Sequence, residues 1–204
     1  MITLVNRLLD RAGLQLTRKE KPPAVQAGKG SRIHPSAEIR GFAENVKLGN
    51  NVYVDAHAVI ECRDRETTVE IGDNSVVKSS AMILAYGNAK VRIGSFCGVN
   101  PFTVLYGLGD LNIGNYVRIA THCVVIPANH IFDDPDVPIT GQGLTKLGIV
   151  IEDDVWVGAG ARILDGCVIG KGSVIGAGTV LTKSVAPWSI VVGVPGRVVG
   201  SRRK

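Results

Sequence analysis

At 204 residues, 45% of them hydrophobic and 25 of them glycine, the chain is long enough for one domain with a continuous core and too apolar to be disordered. Its 23 Lys and Arg against 18 Asp and Glu leave a charge of +5. Part of that excess lies in Arg197, Arg202, Arg203 and Lys204, without the aromatic interleaving or recognisable module that would make nucleic acid an expected partner.

In residues 1–30 the apolar positions Leu4, Val5, Leu8 and Leu9 recur at helical spacing, so a short amphipathic helix is expected. The run is too short and interrupted for a signal peptide or a membrane span. Such a helix can pack on the body, on a neighbouring subunit or, weakly, on a membrane surface.

From Ile33 onward an aliphatic residue returns every sixth position, most plainly in Ile151, Val157, Ile163, Ile169, Ile175 and Leu181. Earlier rows keep the register in threes: Leu48, Val54, Ile60; Ile71, Val77, Ile83; Ile93, Val99, Leu105; Ile113, Ile119, Val125. β-Branched residues punctuated by Gly, Asn and Asp read as short strands and turns rather than helix. Three hexads make one triangular coil, and coils stacked at the strand spacing of about 4.8 Å make a parallel β-helix over residues 31–186. The position four after each aliphatic should also face inward, and it carries small residues such as Ala37, Ala43, Ala58, Ser75, Ala81, Ala161, Ser173 and Thr179. Cys97, Cys123 and Cys167 share this position and read as core filler. With Cys62 they show no close paired spacing, which argues for a reduced, cytoplasmic setting.

The intervals between coil starts at residues 48, 71, 93, 113, 151 and 169 exceed eighteen residues by 5, 4, 2, 20 and 0 in turn. Each excess follows a third hexad, so the insertions near 64–68, 87–90, 107–110 and 129–148 should protrude at one corner. Loops of this kind are where a regular solenoid builds a site. Residues 187–204 are expected to form a basic C-terminal tail.

The string PANHIFDDPDVPI, IVIEDDVWVGAGARIL, IGAGTVLTKSV and VVGVPGRVV resembles the hexapeptide-repeat acyltransferases, and within them the bacterial sugar and polysaccharide O-acetyltransferases. The resemblance covers about 31–200. It implies an all-β, left-handed parallel β-helix, although the general crossover rule alone would favour the right hand. It also implies a homotrimer with active sites between subunits, acetyl-CoA as donor and a saccharide acceptor, with no metal. His130, opening the 129–148 loop, matches the family's catalytic histidine, a general base for the acceptor hydroxyl. Asn100 resembles the asparagine of the acceptor pocket. Trp156, at an outward position, would lie along the pantetheine arm. Ala159 and Ala177 match small positions where backbone approaches coenzyme A, and Thr182, Lys183 and Arg197 resemble the residues that meet its phosphates.

Other classes fit less well. Zinc hydratases of this fold need three converging histidines, whereas His122 and His130 have no third partner at matching distance. His34 and His57 read as turn residues. A non-catalytic scaffold would not need His130, Trp156 and a basic tail together. Hydroxyl and amino acceptors would use the same base and donor, so N-acetylation of an amino sugar stays open. A serine acetyltransferase, a family with a long helical N-terminal region, is the less expected reading.

Overall fold

The computed structural model describes residues 24–203. Its strands stack in three parallel sheets, the sides of a triangular solenoid. The first side runs from Gln26–Ala27 through Val46–Leu48, Thr68–Ile71, Lys90–Ile93, Leu111–Ile113 and Ile149–Ile151 to Val168–Ile169. The second runs from Arg32–Ile33 to Ser189–Val192 and gains a final antiparallel strand, Arg197–Ser201. The third runs from Glu38–Gly41 to Val180–Leu181. This is the all-β, stacked-coil architecture expected of left-handed hexapeptide repeats.

The register is the one read from the hexads. Ile93 pairs with Ile71 and Ile113, Val99 with Val77 and Ile119, and Leu105 with Ile83 and Val125. These aliphatics are buried and form one continuous core, each contributing about 1.5–3 kcal/mol through removal from water. Ala58, Ser75, Ala81, Ala161, Ser173 and Thr179 are buried beside them, as are all four cysteines. Burial pushes each thiol up from its ordinary pKa, so the sulfurs are inert filler. Ala43 departs from this pattern. It opens a 3-10 turn, Ala43–Asn45, and is only half-buried.

The third residue after each aliphatic turns the corner. Asn51, Asn74, Phe96, Tyr116 and Asp154 do so between the first and second sides, and His57, Ser80, Phe102 and His122 between the second and third, all with φ between 53° and 61°. Such left-handed conformations are uncommon for bulky residues. Corner backbone is also held by side chains of the next coil. Lys29 and Asn50 N–H groups donate to Asn50 and Asp73 Oδ1 at 2.9 and 2.7 Å, and Ser95 and Asn115 N–H groups to Asn115 and Asp153 Oδ1 at 2.9 and 2.7 Å.

Three expectations change. The insertions at the third corner are partly absorbed into longer strands, Val59–Cys62, Met82–Ala85 and Val104–Gly107, because a few extra residues can extend the pairing of neighbouring coils instead of protruding. The helix expected over 1–30 falls mainly on residues outside those described, and Gln26–Ala27 is already a strand paired with Lys47–Leu48. The basic tail is a structured cap: Arg202 and Arg203 lie over the Trp188 ring at 5.7 and 4.5 Å, and Arg202 Nη1 meets Asp154 Oδ2 at 3.1 Å.

Candidate active site

The twenty-residue insertion leaves the third corner as a hairpin. Asn129–His130 pairs antiparallel with Leu144–Thr145, so His130 stands opposite Leu144 and is exposed. Ile131 N–H donates to Gly143 O at 3.1 Å, and a single turn, Ile139–Gln142, closes the tip. Gln142 braces the interior: its Nε2 donates to Asp134 O and Val137 O at 2.8 Å each, and its Oε1 accepts from Asp134 N–H at 3.1 Å.

Asp165, on the next coil at the same corner, anchors the returning strand. Its Oδ2 accepts from Thr145 Oγ1 at 2.8 Å and Leu147 N–H at 3.2 Å, and its Oδ1 from Gly148 N–H at 3.0 Å. Sequence reasoning missed Asp165 and Gln142. Asp165 occupies an ordinary corner position of a regular hexad, and only the stacking of coils brings it under the loop.

Asn100, Ala159 and Ala177 stand on the second corner. Asn100 is half-buried and its Nδ2 donates to Ile119 O at 2.8 Å, which leaves Oδ1 and one N–H for other partners. Ala159 and Ala177 are exposed, and their N–H groups meet no acceptor among the described residues, whereas those of Asn50, Ser95 and Asn115 at the equivalent first-corner positions are capped by Asn and Asp side chains. Gly160 and Gly178 beside them face open space. Trp156 adjoins this corner on the second side, paired between Arg118 and Val174, with 55% of its surface exposed.

Thr182 and Lys183 follow Leu181 into the third corner and are exposed; Arg197 opens the closing strand opposite Val192 and is also exposed. One copy therefore divides the candidate residues. Asn100, Trp156, Ala159 and Ala177 lie at or beside the second corner, and His130, Thr182 and Lys183 at the third, one side of the triangle away. Six residues at about 3.3 Å each make that side up to about 20 Å long.

The remaining histidines serve other ends. His57 and His122 are corner residues in the left-handed region, His122 stacked on Phe102 at 5.1 Å, and His34 Nδ1 meets Ser36 Oγ at 2.9 Å. Among the described residues no group of three or more His, Cys, Asp or Glu is placed to hold a metal ion.

Residues 148–183 match the family model described as bacterial transferase hexapeptide (six repeats). Over 170 residues the chain is 32% identical to a probable acetyltransferase of Mycobacterium tuberculosis, covering 83% of this chain and 53% of that one. Over 126 residues it is 32% identical to the galactoside O-acetyltransferase of Lactococcus lactis, covering 62% and 59%. The chain thus spans little more than half the length of these curated relatives. Among solved structures it is similar in fold to a variant of AntD, an N-acyltransferase from Bacillus cereus in complex with dTDP and coenzyme A, at TM-score 0.64 and 22% identity over 89% and 86% of the two chains. It is also similar to the polySia-specific acetyltransferase NeuO, at TM-score 0.61 and 24% identity over 87% and 85%. Residues 148–183 thus carry the hexapeptide repeat of the bacterial transferases, and the chain is similar in sequence to acetyltransferases and in fold to acyltransferases built on that repeat.

Proposed function

We propose that the protein is an acetyl-CoA-dependent O-acetyltransferase acting on a saccharide hydroxyl, working in the cytoplasm as a homotrimer. The observation that carries this reading is the upper second corner. Ala159 and Ala177 present uncapped N–H groups in a stripe of small residues open to solvent, beside exposed Trp156. An extended amide-bearing arm such as pantetheine needs donors, space and an apolar wall, and this corner offers all three. Lys183 and Arg197 would meet phosphate by charge and hydrogen bonding.

His130 acts as base. It takes the proton from the acceptor hydroxyl as that oxygen attacks the thioester carbonyl, then returns it to the sulfur as the carbon–sulfur bond breaks. Asn100 holds the acceptor or the developing oxyanion through the amide groups left free by Ile119. A closed ring of three copies supplies the juxtaposition that one copy lacks, by setting the His130 hairpin of one subunit against the second corner of the next.

The test is release of free thiol from acetyl-CoA with a panel of sugars and amino sugars, and mass detection of the acetylated product. His130→Ala should lower kcat by about 100- to 10,000-fold with the fold intact. Full activity in that variant removes His130 from the role. Acetylation confined to amines would replace the hydroxyl acceptor by an amino one.

A further inference from the structure

Two columns of side chains climb the second corner, and both turn from polar or aromatic to small on the way up, the first at Ala120 and the second one coil later at Gly160. The first residue after each second-side aliphatic reads, from the N-terminal coil upward, His34, Asp55, Lys78, Asn100, Ala120, Gly158 and Gly176; the third reads Ser36, His57, Ser80, Phe102, His122, Gly160 and Gly178. Below residue 122 the corner is polar and aromatic. Above it only Gly and Ala remain, where the donor is placed. His34, Asp55, Lys78 and Asn100 are half-buried, and two of them reach the next coil, Asp55 at Ser79 Oγ and Asn100 at Ile119 O.

Asp55 is braced, with Oδ1 accepting from Ala56 N–H at 2.7 Å and Tyr53 Oη at 3.3 Å and Oδ2 from Ser79 Oγ at 3.0 Å. The Ala56 N–H, then the Ser79 hydroxyl, hold its carboxyl below the usual range, so it is a permanent acceptor with lone pairs to spare. Lys78, next in the column, has no carboxylate within ion-pair distance among the described residues. Above it the Phe102 ring stacks on His122, 8° from parallel, with 55% of its surface exposed and φ at 61°. The same stack recurs at the first corner, Phe96 on Tyr116 at 5.1 Å, but there the residue after each aliphatic is mostly glycine, so the polar column beside Phe102 is what sets the second corner apart.

Resting on the acetyl-transfer reading, we propose that this lower corner is an acceptor groove for an oligosaccharide rather than a monosaccharide. The sugar to be acetylated lies on Phe102 and Asn100, and the preceding units run down the corner over Lys78, Asp55 and His34. That column spans three coil spacings, about 14 Å, longer than one pyranose ring. Its alternation of acceptor, cation and amide suits the paired donor and acceptor capacity of sugar hydroxyls, and an exposed aromatic face suits the apolar face of a pyranose.

The experiment compares mono-, di- and trisaccharides of glucose, N-acetylglucosamine and galacturonic acid as acceptors, and measures their binding without acetyl-CoA. The expected result is a kcat/KM that rises about tenfold or more from one unit to three in an accepted series, a contribution in the range of one or two charge-assisted hydrogen bonds. Lys78→Ala and Phe102→Ala should flatten that rise, Lys78→Arg should restore part of it, and Lys47→Ala, on the first side and paired with Glu70, should leave it as it is. Transfer that does not depend on length overturns the groove and leaves acetyl transfer standing. Length-dependent, Lys78-dependent binding without transfer supports the groove and removes the acetyl-transfer reading. Neither binding nor transfer in any series overturns both, and a change of oligomeric state in Lys78→Ala with the length dependence intact assigns the corner to a subunit contact and overturns the groove.

Discussion

Asp165 Oδ2 accepts the Thr145 hydroxyl at 2.8 Å, which ties the returning strand of the His130 hairpin to a corner that lies 20 residues further along the chain. The same carboxylate takes the N–H groups of Leu147 and Gly148, so one side chain fixes where the hairpin leaves the solenoid. Asp165→Ala should lower stability by only about 1–3 kcal/mol, the worth of hydrogen bonds to a charged group. Its effect on kcat should be about tenfold or more, because small displacements of a catalytic group are costly. Thermal unfolding and acetyl-transfer rates on the same preparation separate the two, and a variant with normal kcat would show that the hairpin is held elsewhere.

Ala177 offers a direct test of the donor corner. The side chain is exposed and its neighbour Gly178 faces open space, so Ala177→Leu should change stability by no more than about 0.5 kcal/mol. It would fill the stripe proposed for the pantetheine arm, and KM for acetyl-CoA should rise about tenfold for each 1.4 kcal/mol of lost contact. Initial rates at varied acetyl-CoA decide it, and an unchanged KM would move the arm off this corner.

Gly172 carries the cap. It sits at φ +71°, and a methyl group there would run into the Trp188 indole that Arg202 and Arg203 cover. Gly172→Ala should therefore cost about 2–4 kcal/mol, combining left-handed strain with displacement of the ring. Scanning calorimetry should show Tm lower by roughly 5–15 °C for a domain of this size. A shift under two degrees would mean that the cap yields freely.

The cysteines give a pH dependence with a defined sign. Burial, opposed by hydrogen bonds, raises all four thiols above their ordinary value. A raised folded pKa favours the folded state fully below the ordinary thiol range, and that contribution is lost as pH climbs through the range toward the folded value. Unfolding midpoints should fall on the alkaline side, less steeply when Cys97 and Cys123 are replaced by Ala. Native protein should resist a thiol reagent that titrates four groups in denaturant, and rapid native reaction would contradict the buried placement.

The hexad register is an example of what a linear pattern can carry. Ile93, Val99 and Leu105 announce three sides because stacking in a solenoid is local and periodic: each residue meets its equivalent one coil away, at a separation set by counting. His130 and Trp156 stood out as candidates through the motifs around them, while Asp165 and Lys78 did not. Their neighbours in space are about one coil distant, 17 to 20 residues for the partners of Asp165, and each occupies a corner position where many side chains are tolerated. The expected tail was misread for the same reason, since the partners of Arg202 are Asp154 and Trp188.

By itself the sequence determined the repeat, the inward faces and the corner that receives the insertions. Only the tertiary structure decided that His130 and the Ala159–Ala177 stripe occupy different corners, that the C-terminal arginines pack on Trp188 and Asp154, and that polar and small columns divide the second corner between them. The physical reason is that periodicity specifies which side of a coil a residue faces. What that side meets depends on how coils of unequal length are stacked.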